Sequence, residues 1–246
     1  HCMGTIAGVG DNGAGVTGVV WDAKVVSLQI FNATGTTLAA IVEAINYSHV
    51  NGIQITNNSW GGRMGDPSIQ AAITACENKG YLFIAAAGNS RDGISDNDAV
   101  PSYPAGYDNN NIIAVAATNH DDQLATFANG SGYDSQYGAT TVDIGAPGVD
   151  IYSTWLPGGL GRPEDYSSIS GTSMACPHVA GVAALLWSYD PTSHGAAIKQ
   201  AILDNLDPLQ PDALGKTVRF GGRLNAFKAL QSISGGPPSP PVMIAP

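Results

Sequence analysis

Short apolar runs rich in Val, Ile and Ala alternate along this chain with segments of helical period, and no other feature restricts the fold as much. Strands joined by crossover helices build a mostly parallel sheet covered on both faces, so the class is α/β. The pattern predicts strands at 25–30, 53–58, 81–87, 112–117 and 142–144. Leu38, Ile41, Val42 and Ile45 mark one helix face that stops before Gly52, and Ser68 is placed to cap a helix that turns Ile69, Ala72, Ile73 and Cys76 inward before Gly80. From Met174 onward Val179, Val182, Ala183 and Leu186 give a long helix almost without charge, expected to run through the core. Shorter helices are expected near 196–203 and 224–233. A chain of 246 residues buries one sizeable core, so residues 1–233 are read as one domain and 234–246, with Gly235, Gly236, Pro237 and Pro238, as a Pro-rich tail or linker.

Composition excludes several functions. A formal charge of −10 repels phosphates, and the ten basic residues are scattered, which argues against nucleic-acid binding. No apolar run is long enough to cross a bilayer, so no membrane partner is expected. Cys2, Cys76 and Cys176 are too few for a disulfide framework, and no CxxC pair suggests a metal site. His1 opens the chain without an initiator Met or a signal-peptide pattern, so the chain reads as a fragment of something longer.

The chemistry gathers around Gly171-Thr172-Ser173-Met174-Ala175. A serine before a helix is ordinarily an N-cap, but here the hydroxyl sits where unpaired N–H groups and the helix dipole favour developing negative charge, which suits acyl transfer. Pro177 is read as lying in the first helical turn, where its missing N–H costs little. The strand at 81–87 breaks into Gly88-Asn89, placing a side-chain amide at the carboxyl edge of a sheet, where α/β folds put their sites and where it could donate to an oxyanion. Asn58-Ser59-Trp60-Gly61-Gly62 is a second strand with a Gly-rich exit, exposing backbone that can pair with an extended peptide.

The run Gly171 to Gly181 (GTSMACPHVAG) resembles the nucleophile signature of the subtilisin-like serine proteases, the subtilases, and Ala85-Ala86-Ala87-Gly88-Asn89 resembles their oxyanion strand. Asn58 to Gly62, Tyr103-Pro104, Ala146-Pro147-Gly148 and Gly222 to Ala226 match in the same order, so the likeness covers everything before the tail. It implies a three-layer subtilisin-like fold whose first strand or strands are missing here. By the same resemblance Ser173 is the nucleophile, and Asn89 joins the Ser173 backbone N–H in the oxyanion hole. Ser59, Trp60 and Gly61 would pair with substrate backbone, while Ala86, Ala87 and Gly88 would line an open pocket for large neutral or aromatic side chains. A cis bond before Pro104, a free thiol at Cys2 near the cleft and a secreted protein are further implications.

The family's general base is the first histidine of a His-Gly-Thr-His-Xaa-Xaa-Gly-Thr-like segment, and this chain matches only from the second, His1. The Asp-bearing strand upstream is absent too. Without a base a serine is a weak nucleophile, although binding and an oxyanion hole alone can leave about 10³–10⁴-fold catalysis over water. An activated ester needs less help from a general acid, so ester hydrolysis is expected above peptide hydrolysis. His1 is the candidate substitute base; His178 points away from the hydroxyl along its helix, and His49, His120 and His194 are read as structural or surface residues.

No cofactor is required by this chemistry. The Asp11-Asn12 loop resembles a calcium loop of many subtilases, and Asp92, Asp96, Asp98, Asp121 and Asp122 lie in polar loops where a cation could sit weakly, with surface acids as the simpler reading. Three function classes follow: a serine hydrolase acting on a peptide or small ester; a catalytically inactive module that binds extended peptides through 59–61; and a structural fragment that associates through an uncovered sheet, as a homodimer or with a separate N-terminal segment.

Overall fold

The computed structural model describes residues 1–90, 95–127, 133–156, 165–210 and 215–233; the expected tail lies outside them. In chain order the helices are α1 Cys2–Ala7, α2 Leu38–Val50, α3 Pro67–Glu77, α4 Thr172–Tyr189, α5 Gly195–Leu203 and α6 Ala226–Ile233. The strands are β1 Ile55–Asn58, β2 Leu82–Ala86, β3 Asn89–Ser90, β4 Ile112–Thr118, β5 Thr126–Phe127, β6 Tyr133–Ser135, β7 Ile144–Pro147, β8 Ile151–Thr154, β9 Tyr166–Ile169, β10 Asp207–Pro208 and β11 Gly222–Arg223.

Six strands form the central sheet in the order β1-β2-β4-β7-β11-β10, parallel except for the last pair. Strand residues alternate faces, and β2 shows why both faces must be covered. Leu82, Ile84 and Ala86 pack with α4 and α5 on one side, while Phe83 and Ala85 pack with α2 and α3 on the other. The result is three layers, as expected. The long helix α4 is buried along most of its length, and a Cβ on Gly181 would meet Val19 at 2.7 Å, so glycine permits the close approach of the segment after α1. Two small antiparallel sheets, β3-β6-β5 and β8-β9, lie outside the main one.

Three local expectations are corrected. Residues 25–30 form no strand: Val25 and Val26 are 41% and 52% exposed, and among the described residues β1 pairs with β2 alone. A run of strand-forming residues becomes a strand only when a ladder partner satisfies its backbone. The cap of α3 is Asp66, whose carboxylate accepts from Ser68 N–H at 2.7 Å, with Pro67 opening the helix. Pro177 lies at the sixth position of α4, beyond its first turn. The Tyr103-Pro104 bond is cis.

Candidate active site

Two parallel strands and one helix deliver the site. β1 ends at Asn58, β2 ends at Ala86 one register step beyond its partner, and α4 begins at Thr172. Ser173 is thus the second residue of α4, in the turn whose N–H groups have no intrahelical acceptor. Gly171 precedes it at φ 154° and Gly88 leaves β2 at φ 107°, values that favour glycine and turn both segments sharply into the cleft.

Pro177 decides how Ser173 is held. In a regular helix the residue at 177 would donate its N–H to the Ser173 carbonyl, and proline has none. That carbonyl accepts instead from Ser59 Oγ at 2.9 Å and from the Cys2 thiol at 3.3 Å. The Ser173 hydroxyl in turn donates to Ser59 O at 3.1 Å, so the two serines exchange hydrogen bonds. Asn57 Nδ2 donates to Ser59 Oγ at 3.0 Å and fixes that hydroxyl's rotamer.

Asn89 is exposed and oriented by Thr172. Its Oδ1 accepts from Thr172 N–H at 3.0 Å and from Thr172 Oγ at 3.1 Å, while Thr172 Oγ accepts from Gly88 N–H at 3.2 Å. With the oxygen held from the α4 side, the Nδ2 end lies about Gly171, 3.5 Å from where a Cβ on that glycine would sit. The structure therefore brings together Ser173, Asn89, Ser59 and the Ala86-Ala87-Gly88 exit on one cleft. Gly62 pairs with Tyr103 through N–H···O bonds of 2.8 and 2.7 Å, which joins the β1 exit to the cis-proline turn. Trp60 packs on the α2-α3 core and donates its indole N–H to Asn58 Oδ1 at 3.3 Å.

His1 goes elsewhere, against the expectation of a substitute base. Its Nε2–H is shared between Ile151 O at 3.0 Å and Ser167 O at 3.2 Å, its carbonyl accepts from Ser153 Oγ, and its ring meets Trp155 edge to face at 6.0 Å. The imidazole pins α1 to the β8-β9 hairpin and makes no bond to the Ser173 hydroxyl. His178 is a packed helix histidine, as expected: burial holds its pKa below the usual value, against the opposing effect of the bond from Nδ1 to Met174 O at 2.8 Å. Burial likewise pushes the Cys176 thiol up, and that thiol donates to Ile84 O.

Of the acids named in the loops, Asp92 lies outside the described residues, Asp121 meets only exposed His120, and the other three are bonded within the fold. Asp98 accepts from Thr140 and Thr141, Asp96 from Asp98 N–H, and Asp122 from Arg223. In the Asp11-Asn12 loop, Asn12 Oδ1 accepts from Ala14 N–H at 3.0 Å, an Asx turn that uses one of the three side-chain oxygens of the pair. Calcium takes six to eight oxygens, so these two residues could supply only part of such a set. Among the described residues no three His, Cys, Asp or Glu side chains gather as a metal site, and no helix is long and apolar enough to cross a membrane. A polar cavity of about 550 Å³ opens at the opposite, amino-terminal ends of β4 and β7, lined by Asn110, Asp143, Lys199 and Arg219 among others. Thr172 was visible in the sequence only as a letter of the Ser173 motif; its role as the clasp of Asn89 needed the fold.

Comparison with known proteins agrees with this geometry. The Subtilase family model matches residues 1–221. Thermitase of Thermoactinomyces vulgaris is 36% identical over 232 residues, covering 94% of this chain and 74% of thermitase. Subtilisin Savinase of Lederbergia lenta is 35% identical over 231 residues, covering 93% of this chain and 76% of that protein. A solved protease structure from Pseudoalteromonas arctica PAMC 21717 superposes with a TM-score of 0.80 at 28% identity, covering 95% of this chain and 70% of the other. The chain belongs to the subtilase family and is a hydrolase of that type.

Proposed function

We propose that this chain is a serine hydrolase that acts through Ser173 and Asn89, with hydrolysis of activated esters as its accessible reaction and peptide hydrolysis as the reaction of a longer form that supplies a base. The observation that supports the reading is the orientation of Asn89, whose oxygen is held by Thr172 and whose Nδ2 lies beside Gly171, on the segment that leads into Ser173. Ser173 Oγ attacks the acyl carbon, its proton leaves to water, and the developing oxyanion is met by Asn89 Nδ2 and the Ser173 backbone N–H. The alkoxide or phenolate departs, and water then releases the acid and restores the hydroxyl. A p-nitrophenolate needs no proton to leave, so this substrate makes no call on a general acid. Following the family, the working environment is extracellular. The test is hydrolysis of p-nitrophenyl esters together with fluorophosphonate labelling. Both are expected in the parent and lost in Ser173→Ala, and equal hydrolysis by that variant overturns the reading.

A second reading is favoured by one observation. β1 has a single partner among the described residues, and the run at 25–30, with Val25 and Val26 exposed, forms no ladder. Such an edge suits pairing with another strand, from a second copy or a separate N-terminal segment. Solution mass measured by light scattering distinguishes a dimer from a monomer.

A further inference from the structure

We propose that Gln136 is a positioning residue for the oxyanion site, tying the β1 side of the cleft to the Ala87-Gly88 peptide that carries Asn89. The proposal rests on the assignment of Asn89 to that site. Gln136 is 2% exposed, and its backbone N–H donates to Gly88 O at 2.9 Å. In the orientation that satisfies both ends of the amide, Nε2 donates to Ala87 O at 2.7 Å and Asn97 Oδ1 at 3.0 Å, and Oε1 accepts from Arg63 Nη2 at 2.7 Å. Asn97, fully buried, adds a bond from Nδ2 to Ala87 O at 2.9 Å.

These bonds fall on particular atoms. They hold the carbonyls of the two residues immediately before Asn89, while Thr172 holds the Gly88 N–H from the Ser173 helix. The 87–88 peptide is therefore fixed from both sides. Gly88, at φ 107°, is the flexible joint between β2 and Asn89, and a Cβ there would collide with the Gln136 amide. Arg63 follows the Ser59-Trp60-Gly61-Gly62 wall and is anchored to Val100 O at 2.7 Å as well as to Gln136. One buried amide thus spans the two walls between which a substrate backbone would lie. Replacing it with an apolar group leaves Ala87 O to Asn97 alone and severs the link to Arg63, so the joint at Gly88 gains freedom and Asn89 loses its fixed direction. A misplacement of that size is costly to a transition state and nearly invisible to ground-state binding.

The test compares the parent with Gln136→Leu and with the near-isosteric Gln136→Glu, using p-nitrophenyl ester kinetics and the side-chain amide NMR signals of Asn89, assigned through Asn89→Asp. In Gln136→Leu the expected result is a kcat lower by about tenfold with KM within about twofold, and Asn89 amide signals that shift or broaden. The Trp187 indole signal, at the far end of α4, is expected to stay in place. In Gln136→Glu the activity relative to the parent at the same pH is expected to rise on acidification, because a protonated carboxyl can donate to Ala87 O and a carboxylate cannot. Unchanged kcat and unchanged Asn89 signals in Gln136→Leu overturn the proposal, as does movement of Trp187 as large as that of Asn89, which would mark general loosening. If Ser173→Ala keeps the parent's ester hydrolysis, the catalytic reading falls, and the Asn89 signals still decide what Gln136 does.

Discussion

Ser59 and Ser173 exchange hydrogen bonds: the Ser173 hydroxyl donates to the Ser59 carbonyl at 3.1 Å, and the Ser59 hydroxyl donates to the Ser173 carbonyl at 2.9 Å. The second bond fills the place that Pro177 leaves empty in the helix ladder. Ser59→Ala is expected to cost about 1 kcal/mol of unfolding free energy in urea, since Ser173 O keeps only the weak thiol donor of Cys2. Ser59→Thr keeps the hydroxyl and should recover most of that loss; equal stability of all three proteins would show the bond to be idle.

Thr172 holds Asn89 through two donors and accepts from Gly88. Thr172→Val preserves shape and removes the hydroxyl, and is expected to lower the esterase kcat by about tenfold, whereas Thr172→Ser stays near the parent. Under the proposed role of Asn89, Asn89→Ala removes an oxyanion donor and should cost about 10²–10³-fold. A Thr172→Val enzyme as fast as the parent would sever Thr172 from the orientation of Asn89.

His1 binds two carbonyls of the β8-β9 hairpin. For His1→Ala the expected outcome is a lower thermal midpoint with unchanged esterase kcat and pH profile. Disappearance of a titration near neutral pH from that profile would restore His1 as a base.

Burial depresses the folded-state pKa of His178 below the ordinary histidine value of about 6.5. Between the folded value and 6.5 the unfolded chain binds more protons, so stability rises with pH through that window. This contribution is complete above pH 6.5 and declines as pH falls toward the folded value. His178→Gln, which cannot titrate and can still donate to Met174 O, should flatten the fall of urea midpoints as pH drops below about 6.5. A slope identical to the parent's would assign the effect to other groups.

Lys199 reaches from α5 to Asn110 O and Ile112 O, beside the buried carboxyl of Asp143. Burial lowers its pKa against the pull of Asp143. Lys199→Met keeps the apolar stem and orphans those carbonyls, so a loss of about 1–3 kcal/mol is expected in chemical unfolding. Esterase activity at 25 °C should be unaffected, because this cluster sits at the opposite ends of the strands from Ser173.

Periodicity carried the sequence reading wherever an element is buried in the ordinary way. The alternation of Leu82 to Ala86 and the inward face of α3 needed only local spacing, because both reflect the same apolar core. Residues 25–30 failed for a non-local reason: a strand is defined by its partner, and no spacing within the run reports whether one is present. Ser173 and Asn89 stand out in the sequence because rare residue combinations flank them, and the structure joins their segments through Thr172. His1 was misjudged because its neighbours in sequence say nothing of the hairpin 150 residues away that captures its ring. Gln136 and Asn97 carried no signal at all; a buried amide is recognisable only when the carbonyls it serves are placed.

The gap that Pro177 opens in α4 means that Ser173 is not set by its own helix. Its carbonyl and hydroxyl are fastened by Ser59 and Cys2, which lie 114 and 171 residues away in the chain. Helical content alone cannot assemble such a centre. During refolding, the far-ultraviolet signal of α4 should therefore return before reactivity toward a fluorophosphonate does, and that reactivity would time the docking of the amino-terminal third onto the helix.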